Sequence, residues 1–232
     1  MSAIAYFESA GRRLAYRMRS GDSPTLMFLP GYASDMEGAK ALALDAFAER
    51  RGLSMLRFDY SGTGSSSGRF EDGTLALWLE EALLLLDSLT RGPLVLIGSS
   101  MGGWIALHLA LLRPDRVRAL VGIAAAPDFT DWGFTAEQAA ALTQDGRMTR
   151  GFWSSGQALL LGDSIPVDCP VRLIHGEMDE EVPLEVAFRT LRAVRSSDVQ
   201  LNMLKGGGHR LSAPHEIDAI LRTIVALLEP AP

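Results

Sequence analysis

Residues 94–97 are four apolar positions in a row, and they run into Gly98-Ser99-Ser100-Met101-Gly102-Gly103 before a helical spacing takes over from Ile105 to Leu112. Unbroken apolar runs of this length, bounded by turn residues, mark strands buried on both faces. The same signature recurs at 25–29, 53–58, 117–124, 171–175 and 199–204. Between these runs the apolar period lengthens to that of helices, over 39–50, 74–90, 184–194 and 214–228. Apolar and polar residues alternate only near the start, over 4–8 and 13–17 around Ser9-Ala10-Gly11, which is the pattern of an antiparallel hairpin. Strands and helices in this rhythm predict an α/β fold, a mostly parallel, doubly wound sheet with helices on both faces. One stretch breaks the rhythm. Residues 127–166 are too long for an ordinary connection and carry Phe129, Trp132, Phe134, Phe152 and Trp153. They read as a small, partly helical cap inserted in a single domain spanning 1–232. The competing reading is an excursion that packs its aromatics on its own core.

Composition narrows the function classes. A length of 232 residues suits one α/β domain with a sizeable core. The formal net charge of −6 and the lack of any Lys/Arg cluster argue against a nucleic-acid partner. A single cysteine, Cys169, excludes an intramolecular disulfide and removes cysteine-rich zinc sites. Standing before Pro170 at a strand entrance, it reads as a structural thiol. No apolar leader opens the chain and no segment approaches 18 apolar residues, so neither export nor a membrane span is expected. A cytoplasmic protein is the resulting expectation.

The chemistry gathers at the first stretch. Gly98-x-Ser100-x-Gly102 fits the nucleophile-elbow spacing, and Ser99 does not, because Ile97 stands two residues before it. A serine lifted onto a sharp turn has strained backbone angles, and side chains two residues away on either side would collide with the turn. The turn opens a helix, so the amide of Met101 faces the place where negative charge would develop. Such a serine needs a base, and the base needs an orienting acid, in the chain order Ser, Asp or Glu, His. Among four histidines, His108 lies within a helix, His175 at a strand end, and His215 opens the last helix. His209 follows a strand and Gly206-Gly207-Gly208, on a loop at the carboxyl edge of the sheet, where functional groups of open α/β sheets collect. The expected acid is Asp179, in the turn beside Gly176 just beyond the penultimate strand; Asp128, after the preceding strand, is its rival. Glu177, Glu180 and Glu181 share the Asp179 loop and read as surface charge. The second oxyanion donor is expected from the Tyr32 amide in Pro30-Gly31-Tyr32-Ala33, where Gly31 permits close approach. Ser61-Gly62-Thr63-Gly64-Ser65 lacks the Gly-Lys-Ser/Thr of a phosphate loop, and no metal-ligand spacing occurs.

Taken together, Gly98-Ser99-Ser100-Met101-Gly102-Gly103-Trp104, Arg57-Phe58-Asp59-Tyr60-Ser61-Gly62-x-Gly64 and His175-Gly176-x-x-Asp179 resemble the α/β-hydrolase superfamily. More narrowly, Pro30-Gly31-Tyr32-x-Ser34-Asp35-Met36-x-Gly38-x-Lys40-Ala41 and Pro166-Val167-x-Cys169-Pro170-Val171-Arg172 resemble the mitochondrial branch of palmitoyl-protein thioesterases and acyl-glucuronide esterases. The resemblance implies Ser100 as nucleophile, His209 as base and Asp179 as acid. It departs in the cap segment, and no mitochondrial leader is expected.

The expected activity is hydrolysis of an ester or thioester through an acyl-enzyme, without cofactor or metal, on a small-molecule or acylated-protein substrate. The aromatics Trp132, Phe134 and Trp153 are the candidate walls for an apolar acyl group. An aminopeptidase or amidase of the same fold would need an acidic pocket for a free amine, a dehalogenase would carry aspartate in place of Ser100, and a non-catalytic ligand-binding protein would tolerate a broken relay.

Overall fold

The computed structural model describes residues 2–132 and 148–229. Its opening hairpin joins β1 (Ala5–Ser9) to β2 (Arg12–Arg19) through Ala10 and Gly11, at φ 47° and 75°. Positive φ at both central residues gives a two-residue loop the twist that the strands require. The strands β3 (Asp22–Leu29), β4 (Leu53–Phe58), β5 (Leu94–Ser99), β6 (Val117–Ile123), β7 (Val171–Gly176) and β8 (Val199–Leu204) complete one sheet. Its order is β1-β2-β4-β3-β5-β6-β7-β8. Every pairing from β4 to β8 is parallel, and β2 is antiparallel to both of its neighbours. The expected α/β architecture is therefore present.

Neighbouring residues of the central strands serve opposite faces, as a pleated strand dictates. Met27 and Leu29 of β3, with Leu94 and Leu96 of β5, join a core beneath α2 (Leu75–Leu89) and α3 (Met101–Leu112). Leu26, Phe28, Val95 and Ile97 join a second core beneath α1 (Ala39–Arg51) and α7 (Pro214–Leu228). Two helix termini have a clear local cause. Gly52 stops α1 in the left-handed region at φ 66°, and the Thr74 hydroxyl caps α2 by accepting from Leu77 N at 3.1 Å. β3 begins three residues before the expected run, because Asp22 and Ser23 are polar and exposed and their pairing is carried by backbone, Asp22 N donating to Gly52 O at 2.7 Å.

The described part of the 127–166 excursion holds α4 (Phe129–Trp132) and α5 (Arg150–Ala158). The two helices touch closely: a Cβ on Gly156 would lie 2.6 Å from the Thr130 side chain, and Gln157 Nε2 donates to Thr130 O at 2.8 Å. α6 (Leu184–Ala193) lies between β7 and β8 in sequence. No helix among the described residues is long and apolar enough to cross a membrane.

Candidate active site

Ser100 sits at the turn between β5 and α3 with φ 53° and ψ −120°, a conformation that costs a non-glycine residue of order 1–3 kcal/mol. Its surroundings hold it there. Ser100 N donates to Ile123 O at 2.9 Å, and Ser100 O accepts from Ala126 N at 3.1 Å, so the elbow is pinned to the end of β6. The flanking glycines are steric necessities. A Cβ on Gly98 would lie 2.3 Å from Gly102 O, and one on Gly102 would lie 2.1 Å from Leu29 O.

The loops after β7 and β8 are built against one another. A Cβ on Gly176 would lie 2.3 Å from Gly207 O, and Met178 N donates to that same carbonyl at 2.8 Å. This contact brings Asp179 and His209 together across 30 residues of sequence: His209 Nδ1 donates to Asp179 Oδ2 at 2.9 Å. With Nδ1 carrying the proton, Nε2 presents its lone pair to the Ser100 hydroxyl, 3.1 Å away. The Asp179 side chain is 1% exposed. Burial alone would push its carboxyl up. The His209 bond and the Val182 and Glu181 amides, at 2.9 and 3.0 Å, outweigh that and hold it below the usual carboxylate range.

Asp128 stands elsewhere. Its carboxylate accepts Leu161 N at 2.8 Å and Gly162 N at 2.9 Å and meets Arg189 Nη2 at 3.2 Å, closing the base of the excursion. Two other histidines are bonded to backbone: His108 Nε2 to Leu159 O and His175 Nε2 to Val182 O, each at 2.9 Å. Burial lowers the His108 pKa. His215 is exposed.

The loop after β3 closes over the elbow. A Cβ on Gly31 would lie 3.2 Å from Ser99 O and 3.3 Å from the Ser100 Cβ. Tyr32 follows, and Ala33 turns the chain at φ 54°. Among the described residues, Tyr32 N–H donates to no acceptor. The far end of the loop is tied down at Met36, whose N–H donates to Asp59 Oδ1 and whose carbonyl accepts from the buried Arg57, both at 2.7 Å.

Two cavities meet at Ser100, His209, Tyr32 and Glu181. One, of about 540 Å³, is polar and takes in Ser34, Asp35, Lys40, Arg210 and Ser212. The other, of about 440 Å³, is walled by Ala126, Phe129, Trp132, Val182 and Pro183, with Glu180 and Glu181 on one side. Of the aromatics expected to line a pocket, Trp132 does so. Trp153 packs partly buried against the core and lines neither cavity. Phe134 lies outside the described residues. Phe129 takes a wall position that its aromatic character hinted at, whereas nothing in the sequence assigned Lys40 or Arg210 to a cavity. Lys40 donates to the Arg210 carbonyl beside His209, and burial lowers its pKa.

A sharp strand-turn-helix with serine at its apex, at the carboxyl edge of a parallel sheet, defines the class of protein. The chain belongs to the α/β-hydrolase fold family, whose profile matches residues 24–152, and it is an enzyme of the hydrolase class. Among its relatives is the human mitochondrial palmitoyl-protein thioesterase ABHD10, 37% identical over 236 residues that span 93% of this chain and 76% of that protein. Among solved structures, mouse alpha/beta hydrolase domain-containing protein 10 superposes with a TM-score of 0.91 at 33% identity, covering 98% of each chain. A putative hydrolase from Agrobacterium vitis S4 gives 0.89 at 35% identity, covering 99% of each. The relatives from several mammals are named as mitochondrial proteins, which overturns the cytoplasmic expectation.

Proposed function

We propose that the chain hydrolyses carboxylic esters or thioesters of apolar acyl groups, on small molecules or acylated proteins, with Ser100, His209 and Asp179 as its catalytic residues. The observation that carries this reading is the continuous hydrogen-bonded relay from Asp179 through His209 to the Ser100 hydroxyl. The thioesterase relatives support the acylated substrate class. In the first step Ser100 Oγ attacks the acyl carbonyl while His209 Nε2 takes its proton. Asp179 steadies the imidazolium that forms. The oxyanion lies between the Met101 and Tyr32 amides, each donor being worth roughly 2.7–4 kcal/mol of barrier. The imidazolium then protonates the departing thiolate or alkoxide, leaving an acyl-serine. Water, deprotonated by the same imidazole, releases the acid and restores the hydroxyl. The apolar cavity, walled by Phe129 and Trp132, takes the acyl group, and the polar one takes the leaving group.

A fluorophosphonate probe should label the wild type and fail on Ser100→Ala, with kcat falling about 10⁶-fold in Ser100→Ala or His209→Ala. Rates on p-nitrophenyl esters should rise from acetyl to octanoyl, since six more methylenes at about 0.8 kcal/mol each add up to ~5 kcal/mol. A constant preference for acetate would remove the apolar-acyl assignment and leave the relay standing. Labelling of Ser100→Ala would sink the relay itself. One observation favours a second reading, aminoacyl amide hydrolysis: Glu180 and Glu181 stand in the wall of the apolar cavity, where a free amine would meet them. Turnover of aminoacyl p-nitroanilides above that of the esters would select it.

A further inference from the structure

We infer that Phe152 is a positioning residue for the reaction, holding the Tyr32 loop in register with the acyl-cavity wall without touching substrate; this rests on the Ser100 reading above. Phe152 is fully buried on α5 and lines neither cavity. Its ring meets that of Tyr32 edge-on, at 4.8 Å between centroids and 66° between planes, and stacks on Phe129 at 5.7 Å and 23°. Phe70 at 5.1 Å and Trp78 at 5.9 Å flank the same Tyr32 ring, so three rings from three separate segments clamp it. Phe129 continues the chain of contacts to Trp104 on the helix that Ser100 opens, at 5.5 Å.

Tyr32 is the point where this cluster bears on the chemistry. Its backbone turns away at Ala33 and its N–H is the proposed oxyanion donor, so the ring is the anchor that keeps the amide aimed. An oxyanion donor acts only if it is already in place when charge develops, and a small displacement removes most of its effect. Tyr32 and Phe129 both line the apolar cavity, and Phe152 is the ring wedged behind both. An acyl chain seated in that cavity presses on the two rings that Phe152 supports from the other side. Filling the cavity therefore partly substitutes for Phe152, and an empty cavity leaves Tyr32 dependent on it.

The test is steady-state kinetics of Phe152→Leu, with Phe152→Met as the volume-preserving alternative, on acetyl and octanoyl p-nitrophenyl esters. With acetate we expect kcat to fall about 10-fold with KM nearly unchanged, a fraction of the 10²–10³ that losing a donor outright costs. With octanoate the loss should shrink to about threefold or less. Gln157→Ala, on the same helix but bonded to Thr130, loosens the excursion without contacting Tyr32 and should leave both kcat values within about twofold of wild type. Wild-type kcat in both Phe152 variants, a change confined to KM, an equal loss on the two esters, or an equal loss in Gln157→Ala would each overturn the inference. If the wild type turns over neither ester and its Ser100 resists the fluorophosphonate, the reading of the site fails, and this inference falls with it.

Discussion

Asp128 and Asp179 both follow parallel strands, yet their carboxylates face different partners, and substitution should separate them. Asp179→Asn keeps the size and loses the charge that fixes the imidazole tautomer, so kcat should drop about 10⁴-fold. The native Asp179 carboxyl lies below the ordinary carboxylate value that it takes in the unfolded chain, so its stabilising contribution is present above that value. It is lost as pH falls through the lowered native value. Thermal melts below the ordinary carboxylate range should accordingly fall less steeply with acid in Asp179→Asn than in the wild type. Asp128→Asn should spare kcat to within a few-fold and lower the stability measured by urea unfolding by about 1–3 kcal/mol, for weakened bonds to the amides of residues 161 and 162. Cys169 offers a simpler check. Burial pushes its thiol up to about 11, so alkylation by iodoacetamide at pH 8 should run about 10²-fold slower than for an unperturbed cysteine.

The elbow between β5 and α3 is the element on which the geometry turns. Both of its flanking glycines face backbone oxygens, which cannot swing aside as a flexible side chain would. Gly102→Ala, with its added carbon 2.1 Å from Leu29 O, should destabilise the fold by about 3 kcal/mol or more and show as a collapsed melting temperature. This element was legible in full, because its apolar run, glycines and helix onset are all local signals. The strand at 53–58 and the helix at 214–228 were legible to the residue for the same reason. The four-residue helix Phe129–Trp132 and the short turn of helix at Phe70–Asp72 were not, being too short for a period to register.

Across the whole molecule, the proposed relay assembles from loops at one edge of the sheet: residues 100, 179 and 209 follow β5, β7 and β8, and the contact between the last two loops brings 179 and 209 together. Chain order and loop position pointed to those three. What the sequence withheld was direction: it could not tell that Trp132 turns to a cavity while Trp153 turns to the core, or that Lys40, from the start of α1, comes to rest against the loop of His209. These are outcomes of tertiary packing with no periodic trace. Compartment was also beyond composition. The tie at the foot of the excursion has a further consequence. Asp128 clasps the amides of residues 161 and 162 where the chain comes back, so the two ends of the excursion are tied to each other at the edge of the sheet. A substitute for the stretch between must therefore keep the aspartate and the returning turn, whatever else it changes.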